Sequence, residues 1–109
     1  MLDFNFDPKS RVLTCIFRGR MDTIVSSQVS SELDSKFRSL IKHEALDELL
    51  DFGLVFDLKE VSFISSSFIR LCVAGKKKVK DGSFSIVNTD PFIKKTFKIA
   101  GLDEILNLD

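Results

Sequence analysis

Short β-rich runs alternate with helical periodicities along this chain, and that order constrains its fold more than any other feature. FNFD (4–7) and VLTCIFR (12–18) are rich in β-branched and aromatic residues, and Pro8-Lys9-Ser10 between them predicts a tight turn joining two strands. Gly19 is expected to close the second strand. Val25, Val29, Leu33, Phe37 and Leu40 then recur every three or four positions, one apolar face of a helix. Asp22 or Thr23 serves as its N-cap, since either side-chain oxygen can accept an orphan backbone N–H. The pattern continues or restarts through Leu46, Leu49 and Leu50 until Gly53, which leaves His43 pointing to water near the end of a long first helix. Leu54–Leu58 is a near-continuous apolar run, the signature of a strand covered on both faces.

The serines at 65–67 mark a change of period. Strand-like residues precede them, and helical spacing follows with Ile69, Cys72, Val73 and Val79 on one face. Phe68, Leu71 and Gly75 fall on a second face. That face is either buried because the helix is sandwiched, or an apolar ridge turned to a partner. Asp81-Gly82 signals a turn, Ser83–Asn88 a strand, and Asp90-Pro91 an N-cap with proline at the first helical position. Phe92, Ile93, Thr96, Phe97 and Ala100 line one side of the last helix, Lys94, Lys95 and Lys98 the other, and Gly101 stops it before a short amphipathic coda. The resulting order, β-β-α-β-α-β-α, predicts one α/β domain over residues 1–109 with a mostly parallel central sheet and helices packed against it.

Composition narrows the chemistry. With 44% hydrophobic residues and eleven Phe among 109, the chain can build a core; 16 basic against 16 acidic residues give no general attraction to nucleic acid or anionic lipid. No apolar run reaches membrane-spanning length, and the first residues lack a signal-peptide order, so a soluble cytoplasmic protein is expected. His43 is the only histidine and Cys15 and Cys72 lie far apart, so metal-ligand spacing is absent; with one histidine base and no G-x-S-x-G around them, the serines at 65–67 are unpromising nucleophiles. Both thiols read as small buried hydrophobes. Neither an enzyme nor a cofactor is expected. Residues 67–98 hold eight basic and two acidic side chains, residues 32–60 four basic and eight acidic. The asymmetry can steer a charged partner, or it marks solvated helix faces. Asp57 at a strand end invites comparison with a phosphoacceptor receiver, but the acidic pair and lysine of that site are missing.

Ser65, Ser66 and Ser67 fall at the carboxyl end of a strand, where sites cluster in open α/β sheets. A serine there can cap the following helix. It can equally carry a phosphate, whose charge of about −2 suits the positive end of the helix. The run LVFDLKEVSFISSSFIRL with KIAGLDEIL behind it, and Gly-Arg-Met-Asp at 19–22, resemble the STAS domain of bacterial anti-sigma factor antagonists across essentially the whole chain. In that family the strand leads into D-S-S-G-L or S-S-A-G-L-R; here Ser65 stands where many members have Asp, and Phe68 replaces the glycine. The resemblance implies a STAS-type fold and a binding module regulated by phosphorylation. Its partner would be a serine kinase of the histidine-kinase-like ATPase fold, which doubles as an anti-sigma factor. That kinase would phosphorylate Ser66, a metal-dependent serine phosphatase would reverse the reaction, and Ser65, Ser67, Phe68, Leu71 and Asp22 would form the partner surface. Asp22 on its residues alone could instead be only the helix cap. The other STAS role is a non-phosphorylated scaffold subunit of a lipid-transport ATPase or a larger signalling complex, which the replaced glycine would favour.

Overall fold

The computed structural model describes residues 1–40 and 49–109. Its elements are β1 (Leu2–Asp7), β2 (Val12–Met21), α1 (Thr23–Leu40), β3 (Gly53–Ile64), α2 (Ser66–Lys77), β4 (Phe84–Val87) and α3 (Pro91–Ile99), in the order expected. They form one four-stranded sheet, β1-β2-β3-β4. β1 runs antiparallel to β2, while β2–β3 and β3–β4 are parallel, as crossovers through α1 and α2 require. His43 and Leu46 lie outside the described residues.

One face of the sheet carries the core. Leu13, Cys15 and Phe17 of β2, Leu54, Phe56 and Leu58 of β3, and Phe84 and Ile86 of β4 are all buried. Four phenylalanines run through it edge to face. Phe68 of α2 meets Phe17 at 5.1 Å, Phe17 meets Phe56 at 4.9 Å, and Phe56 meets Phe84 at 5.0 Å. On the opposite face Val55 and Asp57 are half-exposed, so β3 is not covered on both faces as its apolar run suggested.

β3 runs without a break from Gly53 to Ile64, joining the apolar run at Leu54–Leu58 to the strand-like residues before the serines. Its pairing with β2 slips between Ile16 and Arg18 and again between Gly19 and Arg20, each time with an extra residue on β3. Those bulges reset the pleat, so Leu58, Val61 and Ile64 all turn inward although they are three residues apart. Gly19, at φ +94°, sits inside this irregular stretch. It bends β2 and does not close it; the strand continues to Met21.

Helix phase differs from expectation twice. In α2 the buried set is Phe68, Leu71, Cys72 and Gly75, with Ile69 and Val73 only half-buried. Gly75 decides the phase. A Cβ there would stand 2.9 Å from Cζ of Phe56, so only glycine lets the helix lie this close to the sheet. Val79, assigned to the helix face, is buried beyond the helix in an isolated bridge with Leu50. In α3 only Ile93 and Phe97 are buried; Phe92 is 74% exposed and Ala100 is exposed as well. α1 follows its pattern with Val29, Leu33 and Phe37 inside. Leu49 and Leu50 are not helical, and Gly53 opens β3 and does not end a helix.

Candidate functional site

Because β2 and β3 are parallel and in register at Met21 and Ile64, the turns leaving them lie side by side. The Ser65 N–H donates to the Met21 carbonyl at 2.9 Å, which fixes the serine turn against the turn entering α1. Asp22 is the cap of α1, its Oδ1 accepting the Val25 N–H at 2.9 Å. It therefore caps the helix and also stands next to the serine turn.

The three hydroxyls of the turn are in different situations. Ser65, in extended backbone at φ −99° and ψ 169°, is the N-cap of α2, and its Oγ accepts the Phe68 N–H at 3.3 Å. That Oγ lies 3.4 Å from Oγ of Ser26, the buried serine of α1, which in turn donates to the Met21 carbonyl. Ser67 Oγ accepts from the Arg70 guanidinium at 3.2 Å. Ser66 is exposed at the first position of α2, and no described residue hydrogen-bonds its hydroxyl. The first turn of α2 holds no acidic residue, so the positive end of the helix dipole is uncompensated from within the helix. Beside the turn, α1 and α2 enclose an open groove of about 360 Å³ lined by Ser26, Ser27, Ser30, Ser67, Arg70 and Leu71.

Two residues expected to be exposed on the partner surface are buried. Phe68 is fully buried against Phe17, and Leu71 is 8% exposed at the floor of the groove. Both belong to the sheet-facing stripe of α2, because Gly75 rather than Ile69 marks the side that meets the sheet. Ser26 and Arg70 escaped notice in the sequence. The signal for Ser26 was a serine on the same helical stripe as Val29, Leu33 and Phe37. The signal for Arg70 was the closing arginine of the S-S-A-G-L-R motif, which falls on it when Ser65 and Ser66 take the two serines. The thiols offer no nucleophile: burial pushes Cys15 up to about 12 and raises Cys72 as well. Among the described residues no cluster of acids, histidine or cysteine could hold a metal, and no helix is long and apolar enough to cross a membrane.

A sequence model of the STAS domain matches residues 8–109. The chain belongs to the STAS domain family. Solved structures agree on the fold. An anti-sigma factor antagonist from Mycobacterium paratuberculosis is similar with a TM-score of 0.73 at 17% identity, over 99% of this chain and 85% of that one. A STAS domain protein from Planctomyces limnophilus, described as an anti-sigma-factor antagonist, gives 0.74 at 19% identity over 99% and 87%. The anti-sigma factor antagonist SpoIIAA in its unphosphorylated form gives 0.61 at 13% identity over 91% and 83%. No curated protein sequence matches. Within this STAS domain Phe68, which the resemblance set in place of the family's glycine, is fully buried and packs its ring on Phe17 in the core.

Proposed function

We propose that this STAS domain is a regulatory binding module of the anti-sigma factor antagonist kind, acting in the cytoplasm and switched by phosphorylation of Ser66. Its partner is an anti-sigma serine kinase of the histidine-kinase-like ATPase fold, and a metal-dependent serine phosphatase restores the binding form. The observation that carries this reading is the division of labour in the turn. Ser65 is committed to capping and Ser67 to Arg70, while Ser66 alone offers an exposed, uncommitted hydroxyl at a helix N-terminus. A phosphate there meets the helix dipole favourably and disturbs no packed side chain. It changes the charge and shape of the surface that Ser66, Ser67 and Asp22 share with the groove, and so it can dismiss a partner without unfolding the domain. Phe68 lies in the core, so the replaced glycine gives no support to the scaffold role.

The test is intact-mass analysis and phosphopeptide mapping of the protein isolated from its native cells. An added phosphate on Ser66, lost in Ser66→Ala, is expected. Phosphate on Ser65 or Ser67, or full incorporation into Ser66→Ala, refutes the assignment.

A further inference from the structure

The two edges of the sheet are treated differently. β4 is short, and residues 107–109 lie along it. The Ile86 N–H donates to the Asn107 carbonyl, the Asp109 N–H to the Ile86 carbonyl, and the Asn88 N–H to the Asp109 carboxylate. Nothing among the described residues pairs with the outer edge of β1. The Arg18 N–H donates to the Met1 carbonyl at 2.8 Å, which makes that couple a hydrogen-bonded pair of the antiparallel ladder. Such pairs alternate. Asp3, Asn5 and Asp7 therefore direct their main-chain groups to β2, while Leu2, Phe4 and Phe6 turn theirs to the open edge. The side chains of these last three are half-buried on the helix side. There a groove of about 500 Å³ separates β1 from α1, with Leu2 and Phe4 on one wall and Lys36 on the other. β1 contains neither the proline nor the lysine that commonly guards an edge strand.

We propose that this edge is a dimer interface, in which β1 of one copy pairs antiparallel with β1 of a second across a two-fold axis at Phe4. In that register Phe4 exchanges main-chain bonds with the partner's Phe4, and Leu2 with the partner's Phe6. Every outward N–H and C=O of the three residues meets its complement, and the apolar side chains continue one another over the groove. Charge selects the register. Centred on Phe4, Asp3 faces the partner's Asn5; centred on Asn5, Asp3 would face the partner's Asp7 on both sides of the axis. The sealed β4 edge then stops growth at two copies, since a two-fold contact uses up the one edge left open among the described residues.

Sedimentation equilibrium of this chain over a wide concentration range, with Asn5→Lys and Asn5→Asp alongside, tests the pairing. Asn5 is exposed and its main chain already serves β2, so neither variant reaches the core. A monomer–dimer equilibrium is expected, tightened roughly two- to tenfold by Asn5→Lys, which faces the partner's Asp3, and loosened by a similar factor by Asn5→Asp. The amides of Leu2, Phe4 and Phe6 should exchange more slowly as concentration rises. A chain that stays monomeric with lysine in place, an Asn5→Lys that loosens the dimer, or amides indifferent to concentration overturns the proposal. So does a monomer whose β1 amides are protected only when a different polypeptide is bound.

Discussion

Consecutive serines need not be equivalent. At 65–67 the hydroxyls divide into a cap, a free group and an acceptor for Arg70, and the division follows from where each falls on the first turn of α2. The break at the serines was legible in the sequence because the period changes there from strand to helix. The orientation of Phe68 was not. Phe68/Leu71/Gly75 and Ile69/Cys72/Val73 both satisfy helical spacing, and nothing in periodicity prefers one apolar stripe to the other. Close packing decides: Gly75 is the position that can lie on the Phe56 ring, and this phase sets Phe68 against Phe17. Phe68→Ala is therefore expected to lower folding stability by about 3–5 kcal/mol, read from urea denaturation, through the cavity left against Phe17.

At the scale of elements, α2 lies close against the sheet, and Gly75 is what allows it. The Phe56 ring that a Cβ would strike is itself gripped edge to face by Phe17 and Phe84, so it has nowhere to swing. Gly75→Ala gains up to about 1 kcal/mol of helix propensity but must push α2 outward, an overpacking cost of about 1–3 kcal/mol. A net loss of thermal stability is expected. A rise in melting temperature would show that α2 can ride up at little cost. Strand and helix order was readable from residue types, because each segment carries its own period. The bulges of β3 were not, since V-S-F-I gives no alternation that distinguishes a kinked strand from its end. Gly19 looked like a terminator for the same reason: glycine marks both ends and bulges.

For the whole molecule, the contrast between the two sheet edges matters most. Removing residues 106–109 would strip the cover from β4 and empty the site of the fully buried Leu106. The shortened chain is expected to form higher assemblies, visible by light scattering, while the intact chain does not, because it would then carry an open edge on each side. The parallel pairing of β2 with β3 has a consequence of a different kind. The β1–β2 hairpin joins neighbours in sequence, but Val12 finds Gly53 only after about forty intervening residues have been made and brought round, with the loop-closure entropy that this implies. During synthesis the hairpin is complete while its second edge still waits for a strand that does not yet exist. For that interval the nascent chain is sticky along Leu13, Cys15 and Phe17, and the arrival of β3, rather than the formation of any helix, ends its exposure to misassembly.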